Sequence, residues 1–461
     1  MSFDKTVLRK WDIRGVYPTQ INESLAKNIG FSFARLMKEK GKNACIVGRD
    51  NRFGGESLLN NLIIGLTKSG INVINLGIVT TPMLNFASHK LNNEFGIMVT
   101  ASHNPKNDNG FKVFGSSFLH LNTKELNHLY DLITEEKEEA SNNEGYVKEV
   151  DIKQEYINYL LKEININDRK LKVVIDCGNG TASTIIRDVY KNINCDVTYL
   201  FCDSDPNFPN HHPDPNVFEN LVSLSRKVVE TKSDLGIAYD GDADRVGIVD
   251  EKGNIVETDK LMSIYAKDIL KNSKNKNIVF DVKCSMALEN SIKENGGNPI
   301  MVCNGSAYIE SYVKEYPAIF GGEYSGHVFF NDKHYGFDDG IYAGLRLQEI
   351  LCKENKSCQE LSSDYQKLFN TPEIKIGCRD DIKFNIIDQI KEYANEKNYK
   401  YIDIDGIRVK FEDGWALVRA SNTGPNLTSR FEATNEKRLV EIKDEFINLI
   451  NSLIDKELST R

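Results

Sequence analysis

Short apolar runs that break off into polar loops recur along this chain and limit the folds open to it. Residues 44–48, 95–99, 172–176, 235–239 and 278–282 each read as a buried strand of about five residues. In the first segment, Leu58, Leu59, Leu62, Ile63 and Leu66 recur at helical spacing between two such strands, 44–48 and 71–76. Buried strands alternating with amphipathic helices form layered α/β sheets whose strand ends carry exposed loops.

A chain of 461 residues is too long for one hydrophobic core, and its length corresponds to about three or four domains. A net charge of −9 excludes general nucleic-acid binding, which calls for a basic face. The nine cysteines form no CxxC pair, and such an odd, scattered set fits reduced thiols in a cytoplasmic protein. Met1-Ser2-Phe3-Asp4-Lys5 begins no secretory h-region, and no apolar run is long enough to span a bilayer, so no membrane contact is expected.

Residues 133–151, rich in Glu and Lys, read as a solvated helix end and a boundary. A second α/β unit opens at 172–176. Gly178-Asn179-Gly180 follows it as a tight turn, and His211-His212 lies on an extended loop where adjacent rings point apart. A third unit has strands at 278–282, which delivers Lys283, and 300–302, then a helix over 337–354. The last unit has strands at 407–411, 416–418 and 427–433 and a closing helix over 436–453.

Four loops carry chemistry. Ser102 stands where the 95–99 strand ends, beside His103, and Asn104-Pro105 keeps the loop from continuing as helix. Asp240, Asp242 and Asp244 alternate with Gly241 and Ala243, so a tight turn brings three carboxylates to one centre, a pattern suited to Mg²⁺. A surface acidic turn is the bland alternative, but the apolar flanks 237–239 and 246–248 hold this one in place. Arg245 next to it suits a phosphate oxygen. Glu323, Ser325 and His327 alternate in a glycine-rich loop that suits sugar hydroxyls. Arg419-Ala420-Ser421-Asn422-Thr423-Gly424 offers one guanidinium, short polar donors and open backbone N–H groups, a mix that suits phosphate. Arg14, before the turn-forming Gly15, can point into a cleft. A nucleophile, a cation turn, a polyol loop and a phosphate cradle together describe phosphoryl transfer on a phosphosugar.

Carried by TASHNPKNDNGFK (100–112), DGDADR (240–245), GEYSGH (322–327) and RASNTGP (419–425), the chain resembles the α-D-phosphohexomutase superfamily over its full length, most closely its bacterial phosphomannomutase/phosphoglucomutase branch. WDIRG (11–15), NFPNHHPDP (207–215) and GFDDGIY (336–342) support the match. The resemblance implies an α/β protein of four domains around a central cleft: three similar mixed α/β sandwich domains (1–147, 148–252, 253–368) and a smaller C-terminal α+β domain (369–461). It implies that Ser102 is carried as phosphoserine, that Asp240, Asp242 and Asp244 hold Mg²⁺ with that phosphate, and that His103 and Lys112 are the acid/base pair with Arg245 near the transferring group. Glu323 and Ser325, with His327 in their loop, would bind the sugar hydroxyls, while Arg419, Ser421, Asn422 and Thr423 hold the distal phosphate and Arg14 and Lys283 line the site. A hexose 1,6-bisphosphate would be intermediate and activator, and the protein a monomer or weak dimer.

Two positions depart from that branch. Trp11 stands where it has Tyr, and Gly305-Ser306-Ala307 where it has a Gly-His-Ser loop, so Ser306 leaves the choice among mannose, glucose and glucosamine phosphates open. A phosphoglucosamine mutase, a silent sugar-phosphate-binding protein and a phosphoserine phosphatase are the competing readings. Intact Ser102, His103, Lys112 and all three aspartates speak against a silent one.

Overall fold

The computed structural model describes residues 3–166, 169–421 and 424–459. They divide into two compact units, one of residues 1–261 with 325–363 and the other of 262–324 with 364–461.

The first unit contains two sheets. One runs in the order Ile13–Val16, Asp108–Gly115, Gly96–Val99, Ala44–Arg49, Asn72–Ile78, Val147–Glu149, with Leu119–His120 paired to Asp108–Gly115. Its middle strands are parallel, whereas Asp108–Gly115 runs antiparallel to Gly96–Val99 and sets Met98 opposite Lys112. All four residues of Gly96–Val99 are buried, as a central strand covered on both faces requires. The chain leaves this strand at Thr100 and re-enters the sheet at Asp108, so the Ser102 loop hangs from the sheet's carboxyl end. Helices Glu23–Glu39 and Gly55–Lys68 cover one face, and their apolar residues share one core with the sheet.

These helices approach most closely at Gly30 and Gly65. A Cβ on either would collide with backbone of the other helix, the Leu62 carbonyl for Gly30 and the Lys27 carbonyl for Gly65. The second sheet runs Ile255–Val256, Val246–Asp250, Leu235–Tyr239, Leu171–Asp176, Cys195–Leu200, parallel at its centre and antiparallel after Leu235–Tyr239. The acidic turn 240–244 therefore joins two adjacent antiparallel strands and is held at both ends.

In the second unit, strands Asn298–Val302, Asn277–Asp281 and Phe320–Gly322 are parallel. The C-terminal sheet is antiparallel in the order Phe369–Asn370, Asn426–Ala433, Gly414–Ala420, Ile407–Phe411, Lys400–Ile402, with Ile374–Gly377 also on Asn426–Ala433. Helices Lys383–Glu396 and Glu436–Ser459 pack on it around a core that includes Ile386, Ile390, Val418, Phe431 and Phe446. The three α/β domains and the α+β domain expected from the sequence are the architecture observed.

Three local readings change. Residues 147–149, expected within a boundary, form an edge strand parallel to Asn72–Ile78; all three are exposed, and a charged edge strand has the composition of a solvated segment. Helix Lys153–Lys162 precedes the strand that was expected to open the second domain, burying Tyr156, Ile157 and Leu160. Ser306 begins helix Ser306–Glu315 instead of lying in a loop, with Gly305 before it at φ 136°.

Replacing Gly65 by Ala should separate the two helices and lower the stability of the first unit by about 1–3 kcal/mol, the usual cost of overpacking. Urea unfolding followed by far-UV circular dichroism measures the loss.

Candidate active site

Ser102 holds a left-handed backbone, φ 50°, which a non-glycine residue adopts at a cost of about 1–2 kcal/mol. The surroundings impose it. Thr100 Oγ1 accepts the Ser102 N–H at 2.8 Å, and the Ser102 carbonyl packs where a Cβ on Gly241 would collide with it. The result turns Ser102 Oγ toward Asp240, to whose Oδ2 it donates at 2.8 Å, while His103 Nδ1 lies 3.3 Å from the same oxygen.

The three carboxylates expected to converge do so. Asp240, Asp242 and Asp244 are each at most 2 % exposed, and each offers an oxygen within 4.8 Å of the others. Lys112, carried inward by the strand Asp108–Gly115, donates to Asp242 Oδ2 at 2.7 Å and to Asp244 Oδ2. Thr81, at the start of helix Thr81–Lys90, donates its hydroxyl to Asp242 Oδ2 at 2.6 Å and its N–H to the Asp242 carbonyl at 3.0 Å.

The electrostatics divide this cluster. Burial and the charges of Asp244 and Asp242 push Asp240 well above the usual carboxylate range. Burial acts the same way on Asp244, but the charges of Lys112 and Arg245 beside it outweigh that and hold the carboxyl low. Burial alone would depress Lys112, yet Asp242 and Asp244 overcome it and raise its pKa, so the ammonium persists. His103 is driven well below its ordinary value, by burial first and then by Arg245 and Arg14, which leaves a neutral imidazole. Asp242 Oδ1 and Asp244 Oδ1 are buried and have no hydrogen-bond partner among the described residues. Oxygen-only donors with unsatisfied lone pairs suit a hard divalent cation.

Arg245 donates from Nε to His327 Nε2 at 2.8 Å, and its backbone N–H goes to Asp240 Oδ1 at 3.1 Å. Nε2 is thus occupied by Arg245, and Nδ1 faces Asp338 Oδ2 at 2.7 Å. Asp244, His327 and Asp338 form a second close cluster of candidate metal ligands beside the three carboxylates. Arg14 donates to Asn104 Oδ1 at 2.7 Å and pairs with Asp12.

The second unit holds the other expected residues. Lys283 lies 4.0 Å from Glu323 and from Asp281 and 3.8 Å from Glu373. Burial pushes Asp281 up to about 6 despite the lysine beside it. Arg419 pairs with Asp405 Oδ2 at 3.0 Å, and the same oxygen accepts the Asn304 N–H at 3.1 Å. The Ser421 carbonyl accepts from Lys383 Nζ at 2.7 Å. Asn422 and Thr423 lie outside the described residues. Ser325 and His327, expected to share a face with Glu323, belong to the first unit; the His327 ring is engaged by Arg245 and Asp338, and Ser325 Oγ is buried without a partner among the described residues.

Several residues that complete the site or its loops carried no sequence assignment: Thr81, Asp338, Lys383 and Asp405, and the buried ion pair of Asp50 and Arg52 beneath the Ser102 loop, 3.3 Å from Nε to Oδ2. Asp50 and Arg52 had one available signal, a charged run in Gly48-Arg49-Asp50-Asn51-Arg52 directly after a buried strand. Asp338 lies inside a supporting motif whose residues had no assigned role.

Comparison with known proteins places this geometry. Models of the phosphoglucomutase/phosphomannomutase family match in series: alpha/beta/alpha domain I over residues 5–140, domain II over 154–253, domain III over 257–368 and the C-terminal domain over 373–449. A phosphomannomutase/phosphoglucomutase of Pseudomonas syringae pv. tomato is 41% identical over 96% of this chain and 94% of its own length. A phosphoglucomutase of Neisseria meningitidis is 38% identical over 97% of both chains. The crystal structure of a phosphoglucomutase/phosphomannomutase family protein from Burkholderia thailandensis superposes with a TM-score of 0.90 at 33% identity, covering 98% of both chains. With every domain matched in order along its length, the chain belongs to the phosphoglucomutase/phosphomannomutase family.

Proposed function

We propose that this chain interconverts hexose 1-phosphates and hexose 6-phosphates, of mannose, glucose or both, through a phosphoserine at Ser102 and a 1,6-bisphosphorylated hexose. The observation that carries the reading is Ser102 Oγ, 2.8 Å from Asp240 Oδ2 at the edge of a buried three-carboxylate cluster. Phosphoryl transfer needs little beyond positioning and charge neutralisation, and this loop supplies both.

Phosphoserine gives its phosphoryl group to the free hydroxyl of the sugar phosphate, the serine oxygen leaves, and the hydroxyl proton passes to a base. After the bisphosphate has turned over, its other phosphoryl group returns to Ser102. The neutral imidazole of His103 is fit to accept a proton, whereas Lys112, kept as an ammonium, donates one or serves as charge. Arg245 and Arg14 bring guanidinium charge to the transferring group. Lys283, Ser306, Glu323 and Ser325 read the sugar, and Arg419, Ser421, Asn422 and Thr423 take the phosphate that is not reacting. His327 serves through the Arg245 guanidinium it fixes. In this reading residues 1–147 contribute the nucleophile, 148–252 the cation turn, 253–368 sugar recognition and 369–461 the distal phosphate site.

Asp240, Asp242 and Asp244 would hold Mg²⁺, which when bound neutralises charge on the phosphoryl oxygens. The unsatisfied oxygens of Asp242 and Asp244 support that ion. Millimolar Mg²⁺ should raise the thermal midpoint of the full chain, since ligand at a hundredfold its Kd adds about 2.7 kcal/mol; Asp242→Asn should remove most of the rise in differential scanning fluorimetry.

Incubation with glucose 1,6-bisphosphate and Mg²⁺ should add one phosphoryl group to the intact mass. Ser102→Ala should show no gain and lose nearly all mutase activity, and a fully active Ser102→Ala would end the proposal. Arg419→Ala should raise KM by about 10- to 100-fold, in line with about 1.5–3 kcal/mol for a charge-assisted hydrogen bond. Turnover of mannose, glucose and glucosamine 1-phosphates by the wild-type chain ranks the sugars.

A further inference from the structure

Arg52 has no part in the scheme above, yet its side chain lies under the Ser102 loop, 2 % exposed. Its guanidinium is spent on backbone. Nη2 donates to the carbonyls of Ser102 and Asn104, each at 2.6 Å, and Nη1 to those of Pro105 at 2.8 Å and Asp108 at 3.2 Å. The cation is balanced by Asp50, whose Oδ2 is 3.3 Å from Nε and whose Oδ1 accepts the Arg52 N–H at 2.9 Å. The Phe208 ring lies against it, 5.2 Å from Cζ.

Asp50 also reaches the loop by a second route. Its Oδ2 accepts from Thr100 Oγ1 at 2.7 Å, and Thr100 Oγ1 accepts the Ser102 N–H at 2.8 Å. Both polar backbone groups of Ser102 are thereby tied to one buried ion pair, the carbonyl through Arg52 and the amide through Thr100. Beside the Ser102 carbonyl stands Gly241, whose missing side chain leaves room for it. Only a planar fork with several fixed donors can hold carbonyls from four residues at once; a lysine ammonium has three donors on one atom.

We infer that Arg52 is a positioning residue for phosphoryl transfer: through the backbone of residues 102–108 it holds Ser102 in its left-handed conformation, with Oγ at the carboxylate cluster, whether or not the phosphoryl group is on the serine. This rests on the reading of Ser102 as the nucleophile. Arg52 touches neither phosphate nor sugar in this role, so its loss acts on the chemical step and spares substrate affinity.

The test compares the wild-type chain with Arg52→Lys, which keeps the charge and loses the fork. For Arg52→Lys with a thermal midpoint near that of the wild type, kcat should fall about 10²-fold with KM within threefold, the scale set by a misplacement of about 1 Å. In Arg52→Ala, added guanidinium ion should restore part of kcat while methylammonium does not. A kcat within threefold of wild type, or a loss confined to KM, overturns the inference. Should Arg52→Lys not fold, Thr100→Val, which cuts the route to the Ser102 amide, is judged by the same two criteria. Ser102→Ala run in parallel separates the failures. If it is inactive while Arg52→Lys is fully active, only the positioning role falls; if it is active, the nucleophile reading falls first.

Discussion

Three buried carboxylates in one five-residue turn are the constraint on which the rest of the first unit depends. Two such charges about 4 Å apart repel by about 4 kcal/mol at an effective dielectric constant of about 20, so the turn is stable only where positive charge is brought to it. Lys112 supplies some of that charge from inside a strand, a placement that would be unfavourable for a lysine facing a purely apolar core. Arg245 supplies more from the edge of the turn, with its orientation set by His327. The negative charge left unbalanced is what, under the proposed function, would draw in a divalent cation.

The loops that carry chemistry share a construction. In the first unit one buried arginine gathers the carbonyls of residues 102, 104, 105 and 108. In the second, Arg408 donates to the carbonyls of Val282 and Cys284 and Arg430 to that of Lys283, so the C-terminal sheet fixes the backbone that presents Lys283. Arg408 lies over the Trp415 ring, 4.0 Å from its centroid, and the Trp415 indole is tied to Glu432 at 2.6 Å. Loops with no regular hydrogen bonding of their own obtain it from side chains reaching in from neighbouring strands.

What was legible in the sequence follows from that construction. The strands before Ser102 and Asp240 are continuous apolar runs and reveal themselves, the run before Lys283, 278–282, is apolar but for Asp281, and the alternation Asp240, Asp242, Asp244 forecasts its own convergence. Arg52 does not, because an arginine that binds carbonyls far along the chain leaves no local pattern. Val147–Glu149 is hidden for the opposite reason, since its backbone pairs while its side chains remain solvated. The alternation at 323–327 did not foretell the partners of His327, which follows Gly326 at φ 96° and meets Asp338 and Arg245.

The tie between Thr81 and Asp242 has a consequence for how the protein comes into being. Asn51 is joined in the same way to the Asn179 carbonyl at 2.7 Å and to Thr181 at 3.2 Å, so the serine loop and the acidic turn are each completed by the other's domain. A ribosome that has released only the first sheet has made a serine with no carboxylate beside it and a lysine with no counter-charge. The carboxylate beside Ser102 and the counter-charge on Lys112 are therefore acquired together, midway along the chain, once the strands flanking the acidic turn, Leu235–Tyr239 and Val246–Asp250, are in place.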